Sequence, residues 1–358
     1  MNLIWTIIGF VLMLGVTISI HEAGHMIVAK LCGVYVHEYS IGMGPKLWEK
    51  QGKETKYQLR AIPIGGFVSM AGENVNTNEE EDVHVPEDRK FYNQPYLKKV
   101  AILVAGVMTN FLLAIILFSC LMTYVGSYAE PIPATVDTVR ENSPAERAGF
   151  LPGDEIVRIT REDGSSMKID SFFDMKAFTD DITDQETLTY ELNRDGTTVV
   201  LEVKPEWVES ENDYLIGIQA RTNNVHEVHW YNGLWYGIRY FWDQLRQLFS
   251  SLKLLFMANG WKQVSGPVGM ATVTSKAVSM GFWSYIYLVG LINLNIGVMN
   301  LLPLPVLDGG QIVVETVEKV VGKRIPEKVK IAIMGACWIL LIGLMIAATW
   351  NDIGRLIN

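Results

Sequence analysis

The stretch "ISIHEAGHMIVAK", residues 18–30, sets His21, Glu22 and His25 into the end of an apolar run. Residues 3–20 contain no Lys, Arg, Asp, Glu or His, and a run of about 18 such residues is a candidate transmembrane helix. Ionisable side chains are costly in hydrocarbon, so those found there are usually functional. The stretch therefore predicts a membrane-spanning helix with a polar site at one end.

Three further runs lack these ionisable residues: 100–129, 277–307 and 331–350. Helices in a soluble core usually keep one wet face, which would place charges every few residues. We therefore expect four transmembrane helices, over 1–31, 97–128, 277–303 and 331–351. The first run lacks the basic start and the cleavage site of a signal peptide, so we expect it to stay in the protein.

Lys and Arg are concentrated in two of the connections. Ten lie between the first two runs and five between the last two: Lys30, Lys46, Lys50, Lys53, Lys56, Arg60, Arg89, Lys90, Lys98 and Lys99, then Lys319, Lys323, Arg324, Lys328 and Lys330. By the positive-inside rule these connections are cytoplasmic. The prediction is a multi-pass protein of the cell membrane with both termini and the middle section extracytoplasmic, and with His21 and His25 near the cytoplasmic side.

The cytoplasmic connection 32–96 contains predicted strands. Residues 35–70 alternate apolar and polar positions between glycines, which is typical of β-structure. Beside a membrane helix, such a sheet must pack on protein or line a wet cavity. Residues 73–90, with an acidic run from Glu79 to Asp82 and with His84, are predicted to be a solvated loop.

Residues 129–222 change in character to short β-branched runs separated by turns. Ser143 and Pro144 predict a helix start, Gly149 its end, and Pro152-Gly153-Asp154 a turn into a strand. The segment "SPAERAGFLPGDEI" resembles that of bacterial PDZ domains, which bind extended peptides at a sheet edge. The alternative is a generic β-rich domain that binds no ligand.

Residues 223–276 contain apolar residues at helical spacing. They are Trp235, Ile238, Trp242, Leu245, Phe249, Leu252 and Phe256. This pattern predicts an amphipathic helix that lies in the membrane interface or packs under the soluble domain. His226 and His229, just before it, are expected to be surface residues.

His21-Glu22-Ala23-Gly24-His25 fits the pattern His-Glu-x-x-His. Residues four apart share a helix face, so both imidazoles can bind one ion, and Glu22 can act as a general base. Zinc suits two nitrogens and an oxygen, with a fourth position left open for catalysis. Segment 304–330 supplies the oxygen: Asp308 follows Pro303 and Pro305 at the cytoplasmic end of the third run. The alternative for Asp308 is a turn aspartate that caps the next helix.

Together, His-Glu-x-x-His in the first helix, Asn-x-x-Pro-x-Pro-x-x-Asp-Gly after the third, and a PDZ-like domain between the second and third resemble the site-2 protease family. The resemblance covers nearly the whole chain, including "SGPVGM" at 265–270. It implies zinc ligands at His21, His25 and Asp308, and a catalytic Glu22. It also implies substrate-binding roles for Asn295 and Asn300, and for Gly42, Met43 and Gly44 in a membrane-associated sheet. The sequence departs from the family at Val107, where relatives carry proline in Ala-Gly-Pro-x-x-Asn.

The expected fold is an α-helical multi-pass membrane protein with four transmembrane helices, a membrane-associated β-sheet and one extracytoplasmic α+β PDZ domain. The expected function is an intramembrane zinc endopeptidase that cuts pre-trimmed single-span membrane proteins in regulated intramembrane proteolysis. By resemblance, anti-sigma factors and signal-peptide remnants are examples of such substrates. The lipid bilayer is the other expected partner, and the net charge of −9 argues against nucleic acid.

Two alternatives belong to other classes. A catalytically silent PDZ scaffold would bind trimmed membrane proteins without cutting them, and loss of Glu22 or Asp308 would have favoured it. A zinc transporter would need polar residues along several helices, and the last apolar run has almost none.

Overall fold

A computed structural model describes residues 3–73, 84–179, 182–183, 186–209, 211, 213–220, 224–255 and 266–357. The acidic run from Glu79 to Asp82, Phe256 and the first residue of "SGPVGM" lie outside the described residues. The chain forms two compact units, Met1–Leu121 with Ser265–Asn358, and Met122–Val264.

The helices are α1 (Leu3–Leu31), α2 (Tyr96–Val125), α3 (Pro144–Ala148), α4 (Phe172–Thr179), α5 (Gly233–Leu255), α6 (Pro267–Met280), α7 (Phe282–Asn300), α8 (Asp308–Val321) and α9 (Glu327–Ile357). Among the described residues, α1, α2, α7 and α9 are long and apolar enough to cross a membrane. The four predicted transmembrane helices are thus present as helices of the required length and composition.

Some predicted helix boundaries were wrong. The second helix ends at Val125 and not at 128, because the chain continues as strand from Ser127. Residues 277–280 belong to α6, because Gly281 at φ 110° separates α6 from α7, a backbone conformation that suits glycine. Helix α7 ends at Asn300, before the two prolines that follow, and α9 extends beyond 331–351 at both ends.

The strands are β1 (Val36–Gln51), β2 (Lys56–Met70), β3 (Ser127–Ala129), β4 (Val136–Val139), β5 (Glu155–Thr160), β6 (Ser166–Lys168), β7 (Leu188–Arg194), β8 (Thr197–Val203), β9 (Glu206–Val208), β10 (Asp213–Leu215), β11 (Ile218–Ala220) and β12 (Val225–Glu227). Two short 3₁₀ turns, Glu87–Arg89 and Phe91–Asn93, precede α2.

Strands β1 and β2 confirm the β-structure predicted for residues 35–70. Both strands are long and bend, so that each contributes two neighbouring segments to the sheet. Residues 38–41 pair with 66–69 on one side and with 56–59 on the other, and 56–59 pair in turn with 48–51. The sheet meets α1 and α2 in a buried cluster that includes Ala29, Val36, Met70 and Ile102.

The second unit is a mixed α+β structure around a four-stranded sheet of order β6-β5-β7-β8. Its core includes Phe150, Ile156, Leu188, Tyr190 and Leu192. The predicted start and end of α3 are confirmed. The Ser143 side chain accepts a hydrogen bond from the Glu146 backbone N–H, and Gly149 adopts a left-handed conformation.

Helix α5 forms over the residues for which the sequence predicted an amphipathic helix. The aromatic positions Trp235, Trp242 and Phe249 are at least half exposed. The buried positions lie on the other face, where Asp243 accepts a hydrogen bond from the Tyr128 hydroxyl. Three aromatic residues of the predicted stripe are thus exposed within the second unit, and the position of this helix in the membrane interface stays a prediction.

Candidate metal centre and active site

Helices α1 and α2 approach closely at the level of the histidines because each has a glycine there. A Cβ on Gly24 would lie 2.6 Å from the Ala105 carbonyl oxygen, and one on Gly106 would lie 2.3 Å from His25 Nε2. Real Cβ atoms do not approach other atoms so closely, so both positions require glycine. This contact brings the two imidazoles against the backbone of α2.

Three potential ligand atoms meet beside this contact. The Nε2 atoms of His21 and His25 are 3.1 Å apart. Asp308 Oδ2 lies 3.1 Å from His21 Nε2 and 3.4 Å from His25 Nε2. Both histidines are buried, and Asp308 is partly buried. The structure thus brings together the three residues that the sequence predicted as metal ligands, of which His21 and Asp308 lie 287 residues apart in the chain.

The other ring nitrogens have partners that fix the orientation of the imidazoles. His25 Nδ1 donates to the Ile102 carbonyl oxygen at 2.8 Å, so in the neutral imidazole Nε2 carries the lone pair and faces Asp308. His21 Nδ1 lies 3.2 Å from the side-chain amide of Asn110. The Asn110 Oδ1 atom is buried without a hydrogen-bond partner, and a half-turn of the amide would let it accept the Nδ1 proton of His21. Such outer hydrogen bonds are typical of metal-binding histidines.

The donor set fits zinc. Two ligands about 2.1 Å from a tetrahedral ion are separated by about 3.4 Å, close to the distances between these three atoms. Asp308 Oδ2 is buried and accepts no hydrogen bond within the described part of the chain. A buried carboxylate oxygen without a donor is costly, and a cation bound between the three atoms would satisfy it.

Helix α8 supplies Asp308 as its first residue. The preceding residue, Leu307, makes no side-chain capping hydrogen bond, and the Asp308 carboxylate points to the histidines. The turn-cap alternative is therefore not realised. Helix α8 is held on α2 by a partly buried ion pair, in which Lys99 Nζ donates to Glu315 Oε2 at 2.8 Å.

A cavity of about 360 Å³ opens at the three ligands. Glu22 lies in its wall beside the metal position, and Phe67 and Val68 of β2 form another wall. A Cβ on Gly66 would be 3.6 Å from Glu22 Cγ, so the Glu22 side chain runs along the backbone of β2. The arrangement places a carboxylate, a metal position and a strand around one space large enough for a peptide segment.

The predicted substrate-binding residues lie in different places. Asn300 lines the cavity, whereas Asn295, Gly42, Met43 and Gly44 are not among its lining residues. The last three lie where β1 bends away from residues 38–41. Their roles in substrate binding stay predictions. The departure at Val107 leaves α2 helical, with the Val107 side chain buried.

The sequence did not point to four residues that the structure places at the site. Ile102 and Asn110 hold the histidines, and Glu73 and Gln311 line the cavity. Burial raises the pKa of Glu73 to about 7. Asn110 did have a sequence signal: it is the last residue of the motif Ala-Gly-Pro-x-x-Asn, in which this chain has Val107 in place of the proline.

Comparisons with known proteins agree with this site. The model of "Peptidase family M50" matches residues 9–344. A Clostridium acetobutylicum protein whose name describes it as a zinc metalloprotease is 33% identical, with 100% of this chain and 98% of that protein covered. Proteins with the same description from Mesorhizobium japonicum and Staphylococcus aureus are 32% and 29% identical, over 97% and 99% of this chain and 98% and 99% of their own lengths.

The matched range includes His21, Glu22, His25 and Asp308, and so both halves of the metal centre. The match covers well over half of the chain, and its relatives share the zinc metalloprotease description over nearly their full length. The chain therefore belongs to peptidase family M50, the site-2 protease family, and is a zinc metalloprotease.

Proposed function

We propose that this protein is an intramembrane endopeptidase that hydrolyses peptide bonds in or near the transmembrane segment of single-span membrane proteins. The observation that carries the proposal is the position of the metal centre. His21 and His25 lie on α1, against α2, and both helices are long and apolar enough to span a membrane. A protease with two of its three metal ligands on such a helix can reach peptide bonds that soluble proteases cannot.

The chemistry follows from the residues around the cavity. Zinc held by His21, His25 and Asp308 would polarise the substrate carbonyl and make water more acidic. Glu22, in the wall of the same cavity, would accept a proton from the attacking water and deliver it to the leaving amine. Asn300 and Gln311 offer side-chain amides to the substrate backbone.

The strand that borders the cavity would hold the substrate. A transmembrane helix hides its peptide bonds in its own hydrogen bonds, so hydrolysis requires local unwinding. In the described residues, β2 at 66–69 pairs with β1 on one side only, and Phe67 and Val68 face the cavity. An extended peptide can add to such an edge.

We further propose that the second unit is a PDZ domain that selects trimmed substrates. Its capped helix α3 and the turn at Pro152-Gly153-Asp154 match the sequence pattern. A groove of about 340 Å³ lies between α4 and β11, lined by Met175, Lys176 and Ile218. This groove would dock a peptide or exclude bulky extracytoplasmic domains, as regulated intramembrane proteolysis requires.

The experiment uses purified protein and a tagged single-span substrate in two forms, with and without its extracytoplasmic domain. We expect cleavage of the trimmed form within or next to its transmembrane segment, mapped by mass spectrometry, and no cleavage by Glu22→Gln. Equal cleavage by wild type and Glu22→Gln would refute the catalytic role, and equal cleavage of both substrates would refute selection of trimmed proteins.

Orientation is tested separately. In a chain whose Cys32, Cys120 and Cys337 are replaced by Ser, a membrane-impermeant thiol reagent added outside should label cysteines placed within 140–220. Labelling within 50–73 instead would reverse the proposed orientation.

A further inference from the structure

The β1–β2 sheet has two chemically different faces. Paired positions place Tyr39, Ile41, Trp48, Tyr57 and Leu59 on one of them, because Tyr39 pairs with Tyr57, Ile41 with Leu59, and Trp48 with Leu59. This aromatic face is continuous over three neighbouring segments of the sheet. It lies apart from the metal cavity, whose lining includes none of these five residues.

The opposite face is polar and its groups are satisfied. Gln58 Nε2 donates to Glu38 Oε1 and to Glu49 Oε2. Arg60 donates to Gln58 Oε1 and lies over the Phe67 ring. The polar face therefore needs no further partner, whereas the aromatic face does.

The aromatic face forms most of an open concavity of about 530 Å³, which Gln58 also lines. Trp48 is 53% and Leu59 42% exposed in it. Lys50 also lines the concavity, and its side chain is exposed. At the Tyr57 side, Lys30 Nζ donates to the Tyr57 hydroxyl at 3.0 Å. The surface is thus apolar within and cationic at its border.

Two hydrogen bonds join the concavity to α1. The Tyr39 hydroxyl donates to the Ser19 carbonyl oxygen of α1, and Lys30 lies near the other end of the same helix segment. On α1, Ile27 and Leu31 are 52% and 81% exposed, which in a membrane-spanning helix means contact with lipid. Ile27 is about one helical turn from Lys30, whose ammonium contacts Tyr57 of the concavity, so an acyl chain beside Ile27 lies near the border of the concavity.

The positive charge near the concavity favours anionic lipids over neutral ones. Between Met43 and Ile62 the sequence has five basic residues, Lys46, Lys50, Lys53, Lys56 and Arg60, and two acidic ones, Glu49 and Glu54; of the five, Lys50 lines the concavity. The whole chain has a net charge of −9, so this local excess of positive charge is opposite in sign to the rest. Basic segments next to a membrane attract anionic headgroups.

We infer that this concavity binds an anionic phospholipid from the leaflet that surrounds the Lys30 end of α1. One acyl chain packs against Ile41, Trp48 and Leu59, and the phosphate lies near Lys50. Bound lipid would fix the sheet, and with it the strand that borders the metal cavity, to the membrane surface. The inference concerns lipid binding and does not depend on the proposed substrate.

The test is native mass spectrometry of the full chain in detergent, titrated with dioleoyl phosphatidylglycerol or dioleoyl phosphatidylcholine. Wild type should retain phosphatidylglycerol more tightly than phosphatidylcholine. Lys50→Ala should weaken phosphatidylglycerol binding roughly fivefold, as one lysine near anionic lipid contributes about 1 kcal/mol. Lys53→Ala is the matched control: it is an exposed lysine of the same hairpin outside the concavity, and it should weaken binding clearly less than Lys50→Ala.

Equal losses in Lys50→Ala and Lys53→Ala, or equal retention of the two lipids by wild type, would overturn the inference. A photoreactive benzoylphenylalanine at Leu59 identifies the occupant in membranes. Phospholipid adducts are expected, and crosslinks to a substrate polypeptide or to a second copy of the chain would contradict a lipid site.

Discussion

The orientation of the two metal-binding imidazoles depends on hydrogen bonds at Nδ1, the ring nitrogen that does not face the metal position. Asn110 is buried completely and faces His21 Nδ1. In Asn110→Leu this partner is lost, so the orientation and basicity of His21 are no longer fixed. We expect zinc affinity to fall by roughly 10- to 100-fold, measured by competition with a chromogenic chelator. Asn110→Asp keeps an oxygen acceptor and should stay close to wild type; equal losses in both variants would argue for a packing role.

Gly106 allows the imidazoles to lie against α2. In Gly106→Ala the new Cβ would lie 2.3 Å from His25 Nε2 and 2.8 Å from His21 Cε1, so the rings must move. We expect loss of bound zinc, measured by elemental analysis of purified protein. Gly335→Ala on α9 is the control, because no atom lies within 4 Å of its Cβ position. Full zinc content in Gly106→Ala would contradict the geometry described here.

At the residue scale, the sequence predicted the residues that a regular motif identifies. It missed the groups that belong to no such motif. His21, Glu22 and His25 follow from helix periodicity, and Asp308 from the membrane level of its segment. The Ile102 carbonyl is a backbone group and has no sequence signal. Asn110 lies 89 residues from His21, and only the rotation of α2 about its axis decides that it faces the histidine.

Helix α8 positions Asp308 through its contact with the start of α2. Lys99 and Glu315 form a partly buried ion pair, and the Tyr96 and Thr316 hydroxyls are 2.9 Å apart. Lys99→Met leaves the Glu315 charge without its partner, which costs about 3 kcal/mol for a buried pair. We expect a lower thermal midpoint and weaker zinc binding, because α8 loses its fixed position.

The double variant Lys99→Met with Glu315→Met removes both charges and should recover most of the thermal stability. A double variant as unstable as Lys99→Met would show that the ion pair does not hold α8. Zinc affinity measured on the same samples separates loss of positioning from general unfolding.

The sequence predicted helices and strands well where their apolar residues follow a clear pattern. It predicted the ends of these elements less well. Four apolar runs, the strands of 35–70 and the capped helix at Ser143 were correct in type. Gly281 was missed as a break because the residues on both sides are apolar, so composition shows no change there. The double pairing of β1 and β2 was also not predictable, because it depends on where two long strands bend.

The whole molecule consists of two units, and the second has its own partly buried ion pair. Arg194 donates to both carboxylate oxygens of Asp154, whose side chain is fully buried. Burial raises the pKa of Asp154, but the Arg194 guanidinium and the Leu151 N–H together lower it below its usual range. The pair therefore stabilises this unit fully above the ordinary Asp pKa of about 3.9, and this stability is lost as pH falls through the lowered value.

Arg194→Met should destabilise the second unit by roughly 3 kcal/mol, because Asp154 stays buried without its partner. Limited proteolysis at neutral pH should then cut within the second unit at lower denaturant concentration than in wild type. The zinc content should not change, because all three ligands belong to the first unit. Loss of zinc in this variant would contradict the independence of the two units.

Hydrophobicity and charge predicted four apolar helices, which the described residues contain, and a soluble middle section; the middle of the chain forms a unit of its own. The metal centre, however, combines residues that lie far apart in the sequence. His25 and Asp308 are separated by most of the chain, so no local pattern joins them, and the family resemblance supplied that connection before the structure did. The 3.4 Å distance between His25 Nε2 and Asp308 Oδ2 shows that the two motifs form one site.

The most direct test of the account measures bound zinc and substrate cleavage on the same preparations of wild type, Glu22→Gln and Asp308→Ala. Wild type should bind about one zinc ion and cleave, and Glu22→Gln should keep its zinc but lose cleavage, because Glu22 moves protons and does not bind the metal. Asp308→Ala should lose both. Full zinc content in Asp308→Ala, or undiminished cleavage by Glu22→Gln, would contradict the assignment of these residues.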